Sequence, residues 1–134
     1  MKYNVKNVYD ILADAAKDIF SGVKLVRLSG DGSACLFIVE LENEAVLKAH
    51  YHLKGDETYY VLEGNCSMML CGIDDVQWNA DRNISLARGD FITVKEKTVH
   101  SLRSGKSLSR IMITCPEDHA GFDRYFTEDY DEKM

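Results

Sequence analysis

Two histidines, His50 and His52, stand one residue apart, and Glu57 follows after a Gly55-Asp56 pair suited to a turn. Side chains alternate along a β-strand, so His50 and His52 point to the same face. A turn at Gly55-Asp56 returns the chain with Glu57 opposite them. Two imidazoles and a carboxylate converging from adjacent strands form a ready site for a transition metal. A fourth ligand has to come from elsewhere, and His100, at the start of a later strand, is the candidate. Three neutral imidazoles and one carboxylate would leave a divalent ion with a net charge of about +1. An octahedral ion would then keep positions open for water, substrate or dioxygen. Imidazole suits Fe, Ni, Cu or Zn and the carboxylate admits Mn, so ligand type does not select the metal.

Other residues have weaker claims. Tyr59 shares the face of Glu57 if both lie on one strand. A phenol beside a divalent ion can have a lowered pKa and serve as a base, while an aromatic at this place also simply fills a core. Arg103 and Arg110 are candidate anchors for an anionic substrate. His119 follows Pro116-Glu117-Asp118 and is expected on a surface helix, solvated. Asn83-Ile84-Ser85 matches a glycosylation sequon that an intracellular protein would not use.

The elements that must position these residues are short. Residues 7–20 predict an amphipathic helix with Val8, Ile11, Leu12, Ala15, Ala16, Ile19 and Phe20 on its apolar face, capped by Asn7 and closed by Gly22. Strands follow at Val23–Leu28, Ala34–Leu41, Ala45–Leu53, Thr58–Leu62 and Cys66–Cys71. More are expected at Val76–Trp78, Ile84–Leu86, Phe91–Val94, Val99–Arg103 and Ser107–Ile113, with turn residues between them. This spacing indicates an all-β antiparallel sandwich or barrel over 23–115. Pro116 stops the last strand, and 117–128 is read as a short helix within a C-terminal segment 116–134, with Phe122, Tyr125 and Phe126 packing on the outside of the barrel. The tail beyond Glu117 is acidic and read as a solvated end.

A chain of 134 residues, 46% hydrophobic and 28% charged, is one folded domain, 1–134, rather than a disordered segment. The net charge of −6 and the lack of a basic stripe exclude a nucleic-acid partner. No signal peptide and no long apolar run are evident, so no membrane partner and a cytoplasmic location are expected. The four cysteines contain no CxxC and are read as free, buried thiols; on a strand, Cys66 and Cys71 fall on opposite faces.

The segment from Glu44 to Gly64 resembles the first motif of the cupins, G-x5-H-x-H-x3-4-E-x6-G. His50, His52, Glu57 and Gly64 fall in place, and Glu44 stands where the motif opens on glycine. In the second motif, G-x5-P-x-G-x2-H-x3-N, Gly89 and His100 match. Lys95, Lys97 and Ser104 stand at the proline, glycine and asparagine positions. The resemblance implies a double-stranded β-helix (jelly-roll) barrel, often a homodimer, with one divalent metal on His50, His52, Glu57 and His100. Iron is first among the metals it suggests, ahead of manganese, nickel and zinc. It implies a small-molecule substrate and dioxygenase-type chemistry. The alternatives are a redox-neutral lyase, isomerase or cyclase with Tyr59 as base, and a non-catalytic ligand-binding or metal-binding domain.

Overall fold

The alternating strands pair into two five-stranded antiparallel sheets whose apolar faces meet. The computed structural model describes residues 1–74 and 82–127. Its strands are β1 (Lys24–Asp31), β2 (Ala34–Leu41), β3 (Val46–Tyr51), β4 (Glu57–Glu63), β5 (Asn65–Gly72), β6 (Asn83–Ala87), β7 (Phe91–Val94), β8 (Thr98–Ser104), β9 (Ser109–Cys115) and β10 (Tyr125–Phe126). The first sheet runs β1-β2-β9-β4-β7 and the second β10-β3-β8-β5-β6. The expected strand Val76–Trp78 lies outside the described residues, as do residues 128–134 of the acidic tail.

Alternation builds the core. Phe37 and Val39 of β2, Tyr59 and Val61 of β4, and Ile111 and Ile113 of β9 point inward from the first sheet. Leu47, Met68 and Leu102 meet them from the second. Each fully buried aliphatic side chain of this kind contributes about 1.5–3 kcal/mol. Cys66 belongs to this core, whereas Cys71 packs on the opposite face of β5 with Ala49 and Val99. All four cysteines are free and buried. Burial pushes the Cys66 thiol up to about 11, which keeps it inert. Among the described residues, no helix is long and apolar enough to cross a membrane.

The N-terminal helix, α1, is shorter than its pattern suggests and spans Val8–Asp14 rather than 7–20. Its start is as expected: the Asn7 side chain accepts from the Tyr9 and Asp10 amides at 2.9 and 3.2 Å. Its end is set by competition. Ala15 is extended, and Asp18 accepts the Ser21 amide on Oδ2 and the Gly22 amide on its carbonyl, a local turn that replaces helical bonding. Gly22, at φ +82°, closes that turn, and Ile19 and Phe20 are left exposed.

The C-terminal segment also differs from the expected helix over 117–128. It makes one 3-10 turn, Glu117–Ala120, and then an extended strap. The barrel edge takes up its backbone groups: β10 pairs with β3 at Tyr51 and His50, and the Thr127 amide donates to the Ala49 carbonyl at 3.0 Å. Phe122 is exposed, while the Phe126 ring lies 5.6 Å from that of His50. Arg124, over the Phe126 ring, donates to Asp18 Oδ2 at 2.9 Å and so ties the strap to the N-terminal turn. Burial would raise the Asp18 pKa, but bonds from Ser21 and Arg124 outweigh it and hold the carboxyl below its ordinary value. The stability this gives is present above the unfolded pKa and is lost as pH falls through the folded one. Asp18→Asn is therefore expected to cost about 1.5–3 kcal/mol at neutral pH. Urea unfolding should show the gap between variant and wild type closing below about pH 4.

Candidate metal centre

A bulge places the first two histidines. In β3, Leu47 lies opposite Leu102 and His50 opposite His100, so β3 carries one more residue than β8 over this stretch. The extra residue lets both Leu47 and His50 face the interior, which strict alternation forbids. His52 follows just beyond β3, His100 comes from β8, and Glu57 opens β4 across the barrel. Four ligand-type atoms of His50, His52, Glu57 and His100 lie within 4.8 Å of one another, and all four residues are buried.

The hydrogen bonds fix which nitrogen of each ring faces the cluster. His50 Nδ1 donates to the Lys48 carbonyl at 2.7 Å, His52 Nδ1 to the Asp123 carbonyl at 2.5 Å, and His100 Nδ1 to the Thr98 carbonyl at 2.8 Å. A carbonyl can only accept, so each neutral ring carries its proton on Nδ1 and leaves Nε2 as a lone pair. His100 Nε2 lies 3.1 Å from Glu57 Oε1 and His52 Nε2 lies 3.2 Å from Oε2. The His52 contact is close but misaligned, and this buried nitrogen has no hydrogen-bond partner. Lone pairs aimed at a carboxylate repel it unless a ring proton or a metal ion lies between them. The donor set, with its unpartnered nitrogen, fits a divalent ion. Burial, with His100 beside it, pushes the His50 pKa well down and keeps this ring neutral, as ligation requires.

Glu57 is held from behind. Tyr59 Oη donates to Oε1 at 2.7 Å and His119 Nδ1 to Oε2 at 2.9 Å. Burial alone would raise the carboxyl, but the imidazoles of His100, His119 and His52 around it prevail and hold it well below the usual carboxylate range. The Tyr59 phenol is buried and pushed well above its ordinary pKa, first by burial and then by the Glu57 charge. The Cys115 thiol, also beside Glu57, is raised for the same two reasons.

His119 is not solvated, contrary to expectation. It is 3% exposed and its ring stacks on His52 with centroids 3.9 Å apart and planes 2° from parallel. Its Nε2 donates to the Lys54 carbonyl at 2.6 Å. Both ring nitrogens thus face acceptors. Burial favours the neutral ring, but the bonds to Glu57 and Lys54 win and raise the pKa. The strap folds back over the barrel mouth because its backbone finds partners on β3 and the 52–55 turn, and this brings the imidazole in. Its only sequence signal is the scarcity of histidine, of which the chain has four.

The two arginines lie elsewhere. Arg110 is on the outer face of the first sheet, bonded to Glu40 at 2.9 Å and to Glu63 at 2.5 Å with the Tyr9 ring over it. Arg103 is exposed on β8 and borders a separate surface groove with Asp90. Sequence reasoning missed Asp123 and Cys115, for which no local pattern exists. Beside the cluster, bordered by His50, Glu57, Tyr59 and His119, is a cavity of about 20 Å³, room for roughly one water. A larger groove of about 700 Å³, bordered by Leu53, Pro116, Phe122 and Tyr125, runs outside the strap and reaches none of the four ligands.

No protein-family model matches the chain, and no curated protein matches it in sequence. Solved structures do match in shape. An uncharacterized conserved protein with a double-stranded β-helix domain from Klebsiella pneumoniae superposes with a TM-score of 0.69 at 14% identity, covering 95% of this chain and 99% of that one. A cupin-2 domain containing protein from Shewanella frigidimarina gives 0.61 at 20% identity, over 84% of this chain and 95% of that one. The chain has the cupin fold. KdgF from a Halomonas species gives 0.58 at 19% identity, over 76% of this chain and 88% of that one. In this cupin barrel the His/Glu cluster sits between the two sheets, and the fold by itself assigns no reaction.

Proposed function

We propose that this cupin-fold protein is a metal-dependent enzyme that uses one divalent ion on His50, His52, Glu57 and His100 for dioxygenase-type chemistry on a small molecule. The observation that carries the metal is the set of three imidazoles, each with Nδ1 spent on a backbone carbonyl and Nε2 left facing one carboxylate. An iron ion there would supply open positions for substrate and dioxygen together. The protein's part is to hold the ligands in fixed tautomers and to keep the site dry behind an apolar wall that includes Leu25, Phe37 and Ile113.

Proton placement supports oxygenase chemistry ahead of lyase chemistry. A redox-neutral lyase, isomerase or cyclase needs a base beside the metal. Tyr59 has its proton directed at Glu57, and His119 has both nitrogens engaged. Tyr59 therefore serves first to orient Glu57, and oxygenase chemistry is the better supported reading. Iron-loaded protein is expected to consume oxygen with a substrate among thiols, enediols and flavonols, and Tyr59→Phe is expected to keep a measurable part of that rate. Turnover under anaerobic conditions with zinc or manganese, abolished by Tyr59→Phe, would instead establish the lyase-type reading with Tyr59 as base. A homodimer is part of the same proposal: Tyr60 and Phe91, paired across β4 and β7, present exposed aromatic surface on the outer face of the first sheet.

A further inference from the structure

The strap that follows Pro116 touches three of the four ligands, through His119, Asp123 and Phe126. His119 donates to Glu57 Oε2 at 2.9 Å and stacks on His52. The Asp123 carbonyl takes the His52 Nδ1 proton at 2.5 Å. The Asp123 carboxylate meanwhile accepts the Leu53 and Lys54 amides at 2.8 and 3.0 Å, which fixes the turn just after His52. Phe126 lies against His50. The barrel side is shaped to receive the strap: at Gly55, with φ +89°, an added Cβ would come within 2.8 Å of Pro116 Cγ.

We propose that His119 is a positioning residue for the metal ligand Glu57, and that the strap 116–127 is part of the metal centre rather than a surface tail. The proposal rests on the metal-centre reading above and extends it to residues outside the barrel strands. The second group of ligand-type side chains, Glu57, Cys115 and His119, is on this account no second metal site, because both nitrogens of His119 are already bonded. A carboxylate held by a fixed imidazole presents its remaining lone pairs in one direction. Without that hold it can rotate among several. Groups that orient ligands in this way are worth about 10–100-fold in metal affinity. Coupling is reciprocal, so a metal that binds better with the strap docked must also hold the strap down, by the same factor.

Cobalt(II) is a suitable probe, since its visible absorption reports ligand geometry as well as occupancy. In titrations of the whole chain, His119→Gln is expected to weaken cobalt binding about 10–100-fold and to change the absorption band of the loaded protein. Phe122→Ala, exposed on the same strap and touching no ligand, should bind as wild type does. A second readout uses wild type alone: zinc should slow hydrogen exchange at the Asp123 and Thr127 amides, which bond to Asp118 and Ala49, by about 10-fold or more. This measurement decides the matter if His119→Gln does not fold. Unchanged affinity and spectrum in a folded His119→Gln, or strap amides indifferent to zinc, overturn the proposal. Wild-type protein that takes up neither cobalt nor zinc overturns the metal reading beneath it, which is a different result.

Discussion

Glu57→Ala is expected to abolish metal binding and to cost the folded chain about 3–5 kcal/mol even without metal, the magnitude of breaking a buried charged pair from one side. The metal loss follows from removing the one anionic ligand: three neutral imidazoles remain, and the compensating charge for a divalent ion is gone. The stability loss has a separate origin. Tyr59 Oη and His119 Nδ1 both donate to this carboxylate, and both residues are buried. Alanine leaves their protons without acceptors in a space that opens to roughly the size of the lost side chain. Metal content measured alongside urea unfolding of the metal-free protein separates the effects. A variant as stable as wild type would show that Glu57 is not the hub of these bonds.

The second large effect lies in the backbone. Gly64→Ala is expected to destabilise the fold by about 2–5 kcal/mol, combining left-handed strain with overpacking. Gly64 has φ +87° between β4 and β5, and a Cβ there would come within 2.5 Å of the Leu108 carbonyl and of Ser109 Oγ. Ser109 Oγ is already tied to Ser104 Oγ at 2.8 Å and the Asn65 carbonyl at 3.1 Å, so it cannot simply turn away. Gly72 is the control: it has no positive φ and an added Cβ meets nothing within 4 Å, so Gly72→Ala should be near neutral. Denaturant midpoints of the two variants check both halves of the argument, and equal midpoints would refute it.

These two residues also show how far the sequence could be read. Glu57 and Gly64 were legible because strand alternation, a turn pair and a motif spacing all point to them. His50 and His52 were legible as a pair, but their inward direction depends on the β3 bulge, which no local pattern announces. The strands of the barrel were readable from period-two alternation. The N-terminal helix was overextended because an apolar stripe continues through Ile19 and Phe20, while the Asp18 side chain, reaching Ser21 and Arg124, bends the chain out of helix. His119 was misplaced for a similar reason. A histidine among acidic residues after a proline looks solvated, and only the pairing of β10 with β3, a contact between residues far apart in sequence, brings it against Glu57 and His52.

The most direct test is elemental analysis of the protein purified without chelator and then offered iron, manganese, nickel and zinc, beside His50→Ala and His100→Ala. The account predicts one ion per wild-type chain and none in either variant. Wild-type protein that stays metal-free with all four metals, or variants that bind as wild type does, would contradict it.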